Sequence, residues 1–150
     1  MDCLLDTNIL IRGFDRRHPM CRLVRAAGKK LHREGLRLCL APQNVVEFWA
    51  VATRPLDSNG LGIPVEYAAR LVRRFKRVVT ILSETPEVFP EWERLAVEHR
   101  VIGKKAHDAR IVAVMNVHGI GRILTFNVGD FARYPGISAV SPKDVVPQFE

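Results

Sequence analysis

The stretch LLDTNIL, residues 4–10, sets an aspartate, a threonine and an asparagine into an apolar run. Leu4 and Leu5 read as the end of a short buried strand over residues 2–5. Residues 7–14 read as a helix capped by Asp6 or Thr7. A carboxylate at this join is costly if it is buried and unpaired. Asp6 therefore lies either where the chain turns at a strand end, or beside a cation.

The rest of the chain repeats the alternation of short apolar strand and amphipathic helix. Met20, Leu23, Val24, Ala27 and Leu31 recur at helical spacing over 19–34, and Gly35 stands in the C′ position. Residues 37–41 read as a second strand, and Pro42 opens a helix to about residue 53. A loop over 54–64 follows from its Gly, Pro, Asn and Ser content, with NGLG (59–62) read as a helix–helix connection. Val65, Ala68, Leu71, Val72 and Phe75 line the next helix. The β-branched run 77–82 reads as strand three. Helices over 86–100 and 106–118, strands over 122–126 and 137–140, and a last turn at Ser141-Pro142 complete the pattern. This alternation implies one α/β domain over 1–150, with a parallel sheet covered by helices on both faces. In such a sheet, ligands collect at the carboxyl ends of the strands.

Composition bounds the function. The 150 residues are 47% hydrophobic and 26% charged, as in an ordinary globular protein. No apolar stretch approaches the roughly 20 residues that span a bilayer. The start of the chain lacks a basic leader, and Asp6 and Asn8 interrupt its apolar run, so a cytoplasmic location is expected. Cys3, Cys21 and Cys39 have no metal-ligand spacing and are expected as reduced thiols. The net charge is +7, with basic residues crowded over 12–37 and 70–77. These are either solvated helix faces or a surface that tracks phosphates.

Four acids fall at corresponding places. Asp6 follows strand one, and Glu47 lies in the second turn of the helix after strand two. Asp108 lies in the first turn of the apolar helix HDARIVAVMNV. Asp130 follows strand four in TFNVGDF, where Asn127 is nearer the strand end. Singly, each has a structural explanation: a cap or macrodipole partner for Asp6 and Asp108, an ion pair for Glu47, a turn cap for Asp130. Together at one sheet edge they would repel unless a cation neutralised them. Oxygen-only donors suit Mg²⁺ or Mn²⁺, which can activate water against a phosphodiester. No Gly-rich phosphate loop or Gly-x-Ser-x-Gly elbow is present. Phe48 and Trp49 are read as core residues rather than base-stacking platforms.

LLDTNIL, Glu47 in NVVEFWAVATRP, HDARIVAVM and LTFNVGDF, in this order and spacing, resemble the PIN-domain ribonucleases, and more closely the VapC-type toxins of toxin–antitoxin pairs. The resemblance implies a three-layer sandwich around a five-stranded parallel sheet of order 3-2-1-4-5. It implies Mg²⁺- or Mn²⁺-dependent endonucleolytic cleavage of RNA, homodimers, and inhibition by a small antitoxin inserted in the active-site groove. Asp6, Glu47 and Asp108 match the family's core acids. Thr7 and Asn8 match the polar pair after the first acid, and Thr125 the residue that steadies the last acidic loop. The chain departs from the family at Asn127, where a fourth acid is often found. Either Asp130 provides that carboxylate, so that Asp6, Asp108 and Asp130 hold metal, or Asn127 is a neutral ligand. The rival is a PIN-fold module of weak or no activity that binds RNA or protein. A small-molecule phosphatase is a further alternative, disfavoured because no second aspartate stands two residues after Asp6.

Overall fold

The computed structural model describes residues 1–149. Five strands form one sheet: β1 (Asp2–Leu5), β2 (Arg37–Leu40), β3 (Thr80–Ile81), β4 (Arg122–Leu124) and β5 (Ser138–Val140). All pairs are parallel, in the order β3-β2-β1-β4-β5. The helices are α1 (Thr7–Phe14), α2 (Cys21–Arg33), α3 (Pro42–Thr53), α4 (Val65–Val78), α5 (Val88–Glu98), α6 (Lys105–Val117) and the short α7 (Pro142–Val145). The expected three-layer α/β architecture and strand order are those observed.

Strand periodicity divides the core into two. Leu4, Cys39 and Ile123 point to one face, where they pack with Leu95 of α5 and with Ile111, Val112 and Met115 of α6. Cys3, Leu5, Leu40 and Leu124 point to the other, against α1, α2, α3 and α4. Successive strand side chains alternate faces, so a one-residue slip of β1 would exchange its contacts with both layers. Phe75 centres the second face, with its ring edge-on to Phe48 at 4.8 Å and to Phe14 at 4.5 Å. Phe48 is thus a core residue, as expected, and Trp49 is partly buried. All three cysteines are free and buried.

The elements differ from the sequence reading in a few places. The run 77–82 is not a six-residue strand: α4 continues through Val78, and the Val79 N–H closes it on the Phe75 carbonyl. Packing of Leu71 and Phe75 outweighs the β-propensity of Val78, which stays 68% exposed. The strand left over pairs only Cys39 with Thr80 and Leu40 with Ile81, at the sheet edge. Val65 opens α4 exposed rather than on its buried face. The fourth strand stops at Leu124, so Thr125 and Phe126 belong to the loop beyond it. In the 54–64 connection the Gly62 N–H returns to the Arg54 carbonyl, and a Cβ on Gly60 would lie 1.9 Å from that same oxygen. Only glycine fits there.

Among the described residues no helix is long and apolar enough to cross a membrane. Ile123 is fully buried in the central sheet, whereas Val97 is 76% exposed on α5. Ile123→Ala is expected to cost about 2–5 kcal/mol in urea unfolding, and Val97→Ala within about 0.5 kcal/mol.

Candidate active site

Parallel pairing of β1 with β4 sets Leu5 beside Leu124, so the next residues, Asp6 and Thr125, emerge together from the carboxyl edge. The Asp6 N–H extends the ladder to the Leu124 carbonyl, and the Thr125 N–H does so to Val140. Asp6 is the N-cap of α1: its Oδ1 accepts the Thr7 N–H at 2.8 Å. Its Oδ2 accepts the Thr125 hydroxyl at 2.7 Å and the Asn8 amide at 3.4 Å. Thr125 is fully buried, and its oxygen in turn accepts the Asn8 amide and the Asn127 N–H. Asn8 Oδ1 takes the Phe126 N–H at 3.3 Å, which locks the loop after β4 onto α1.

A second group anchors Glu47 one strand away. Glu47 Oε1 accepts from Gln43 at 3.2 Å and from the Thr7 hydroxyl at 3.4 Å. Thr7 Oγ1 accepts from Asn44, whose own Oδ1 holds the Ala41 N–H at the start of α3. Gln43 also donates to the His107 carbonyl and accepts from Arg110, so it ties α3 to the first turns of α6. Asn44 is completely buried. Gln43 and Asn44 escaped the sequence reading. One signal was available: Gln43 stands four residues before Glu47, on the same helical face.

Asp108 lies in the first turn of α6, as expected. Burial, then the neighbouring charges of Asp6, Asp130 and Glu47, push its carboxyl up to about 6. Burial also raises Asp6 above the usual carboxylate range, opposed by the hydrogen bonds from Thr125 and Thr7 and reinforced by Asp130. Glu47 is raised by burial and by Asp6, opposed mainly by Gln43. Asp108 thus lies within electrostatic reach of the other three predicted acids, Asp6, Glu47 and Asp130. Asp130 lies in a short 3₁₀ turn, Val128–Phe131, and meets Lys105 Nζ at 3.2 Å. Lys105 also lowers Asp108, and the sequence reading missed it. Asn127 is exposed and engages Thr125 through its backbone.

The donor chemistry fits a hard divalent cation: every candidate ligand is an oxygen, and three of the carboxyls are held in a costly state by burial and mutual repulsion. Among the described residues, however, no group of three or more acidic, histidine or cysteine side chains stands close enough together to hold a metal ion.

A family model, the PIN domain, matches residues 3–137. The chain belongs to the PIN-domain family. The fold is shared with a chain of the promoter-DNA-bound VapBC2 complex of Rickettsia felis, at TM-score 0.70 and 14% identity, over 94% of this chain and 98% of that one. DNA-bound VapBC from Salmonella typhimurium gives TM-score 0.69 at 19% identity, over 95% and 98% of the two chains. Mycobacterium tuberculosis VapC20, a toxin that cleaves the sarcin-ricin loop, gives 0.65 at 18% identity, over 87% and 93%. No curated protein sequence matches the chain.

The acid repulsion has a measurable sign. Because Asp108 binds its proton more tightly in the folded chain than in the unfolded one, its contribution to stability increases as pH falls through about 6. Above that pH its ionised carboxylate opposes folding. In EDTA at pH 7.5, Asp108→Asn is therefore expected to raise Tm above wild type, and the gain should shrink as pH approaches about 5. A lower Tm for the variant at pH 7.5 would contradict this.

Proposed function

We propose that this PIN-family protein is a single-domain, Mg²⁺- or Mn²⁺-dependent endoribonuclease, and the toxin of a toxin–antitoxin pair. The observation that carries the reading is the set of partly buried carboxyls, Asp6, Glu47 and Asp108, each raised by burial and by a neighbouring acid, with neutral donors rather than ion pairs holding Asp6 and Glu47. The family membership, the toxin–antitoxin complexes that share the fold and the RNA-cleaving activity of VapC20 support it.

Asp6, Asp108 and Asp130 would hold the metal, with Asp130 taking the place of an acid at Asn127. A bound Mg²⁺ or Mn²⁺ supplies a Lewis acid that acidifies water and polarises the phosphodiester. Thr125 and Asn8 fix the Asp6 carboxylate. Glu47, whose proton affinity is raised, takes the proton of the attacking water, and Gln43 and Thr7 orient it. Water attacks phosphorus as the P–O bond opposite it breaks, the leaving ribose oxygen takes a proton from solvent, and no covalent enzyme intermediate forms. Lys105, now paired with Asp130, would have to give up that contact for Asp130 to serve as a ligand.

The net charge of +7 favours a polyanionic substrate. A cavity of about 380 Å³ away from the four acids, whose lining includes Leu10, Phe14, Val24 and Phe75 together with Arg25 and Arg74, suits part of an acidic amphipathic antitoxin segment. Exposed Val46, Leu56 and Tyr67 on and beside α3 and α4 are consistent with a homodimer. The cytoplasm is the compartment that such a substrate and three free thiols suit. The Asn127 departure and the Lys105–Asp130 pair favour one rival, a PIN-fold module that binds RNA or protein without turnover.

Purified protein should cleave cellular RNA with Mg²⁺ or Mn²⁺ and stop with EDTA. Asp6→Asn and Asp108→Asn are each expected to lower the rate on the order of 100-fold or more, and Thr125→Val about 10-fold. Full activity in either aspartate variant would overturn the assignment. RNA binding without cleavage by wild type would favour the rival.

A further inference from the structure

Arg12 is the feature of this edge that the acid chemistry leaves unused. It lies one turn beyond Asn8 on α1, on the same face, roughly 5–6 Å along the helix. Asn8 binds Asp6, Thr125 and the Phe126 N–H. The Arg12 guanidinium in turn lies over the Phe126 ring, 4.2 Å from its centroid. Arg12 and Phe126 are each partly exposed. Among the described residues Arg12 has no carboxylate within ion-pair distance, whereas Arg17, Arg37 and Arg110 each have one and Arg94 has two. A cation is thus kept on an aromatic face beside the acids, with its hydrogen-bonding edge unassigned.

That arrangement has a physical consequence. Four carboxylates at the edge repel a polyanionic chain, and a divalent ion offsets this only where it sits. A guanidinium restrained by stacking loses less entropy on forming a bidentate contact, and its planar fork matches phosphate oxygens. The aromatic ring adds attraction without neutralising the charge, as a carboxylate would.

We propose that Arg12 is a substrate-binding residue that takes a phosphate of the RNA chain flanking the cleaved bond, and that Phe126 is the positioning residue that holds its guanidinium. The proposal rests on the ribonuclease reading for its substrate, but Arg12 binds the RNA chain whether or not that chain is then cut. Among the described residues Arg77 of α4, by contrast, is exposed and has no aromatic ring beneath its guanidinium, and although Arg70 of that helix lies over Tyr67, 5.4 Å from its centroid, no hydrogen bond ties that pair to the acid edge.

The test is fluorescence anisotropy on the full chain carrying Asp6→Asn, with a labelled mixed-sequence single-stranded RNA of about 20 nucleotides in Mg²⁺ over a KCl series. Adding Arg12→Ala is expected to weaken binding about 10-fold and to reduce the slope of log affinity against log salt by about 0.7, one phosphate contact. Arg12→Lys should keep the slope and lose part of the affinity, because it retains the charge without the fork. Phe126→Leu should weaken binding with the slope unchanged, and Arg77→Ala should alter neither. In cleavage by the otherwise wild-type chain, Arg12→Ala should raise KM with kcat nearly unchanged. A slope unaltered by Arg12→Ala, or an equal loss from Arg77→Ala, overturns the proposal, as does a parent that binds no RNA. Arg12-dependent binding with no cleavage by wild type leaves Arg12 assigned and overturns the nuclease reading.

Discussion

The hydrogen bond from the Thr125 hydroxyl to Asp6, 2.7 Å long, joins the carboxyl ends of the two central strands. Its formation requires β1 and β4 to be parallel neighbours in the observed register, with Leu5 beside Leu124. It leaves a carboxylate part-buried at the end of an apolar strand, and the rest of the edge is arranged around that charge. Thr7 and Asn8 complete its donors from α1, and the loop after β4 is pinned by Asn8 and Thr125 together. The α3 helix enters through the Thr7 hydroxyl, which links Asn44 to Glu47. The α6 helix enters through Gln43 and through the charge of Asp108. Hydrogen bonds thus fix where Asp6 and Glu47 stand, and among the described residues the one ion pair at these four acids is that of Lys105 with Asp130.

Stability and function pull in opposite directions here. Burial of Asp6, Glu47 and Asp108 raises the proton affinity of all three, so the folded chain stores electrostatic repulsion at neutral pH. The two apolar faces of the sheet provide the opposing stabilisation. Ile123 and Leu4 on one side, Leu5 and Leu124 on the other, lie immediately before the polar edge. A divalent cation bound as proposed would offset that repulsion, and in this sense the fold and the proposed chemistry are coupled.

Much of this was legible in the sequence. Alternation of apolar strands with amphipathic helices specified the layered sheet, and the placement of Asp6, Glu47, Asp108 and Asp130 at strand or helix ends put them on one edge. Propensity misled at residues 77–82, where burial of Phe75 extends α4 and leaves a two-residue strand. Gln43 and Asn44 were missed because an amide's role depends on which side chains face it across the sheet, and no local pattern encodes that. Lys105 was missed for the same reason: its partner is 25 residues away, in a loop whose path follows from the β4–β5 pairing. Of the two candidates in that loop, Asp130 is the one whose charge reaches Asp6 and Asp108, while Asn127 contributes its backbone.

Thermal denaturation with and without Mn²⁺, at constant ionic strength and neutral pH, tests most directly the proposal that the carboxylates at this edge hold a divalent cation. Under that proposal saturating Mn²⁺ raises the Tm of wild type by roughly 5 °C or more, through binding to the folded state alone, with little or no rise in Asp6→Asn and Asp108→Asn. No Mn²⁺-dependent rise in wild type, or the same rise in both variants, would contradict it.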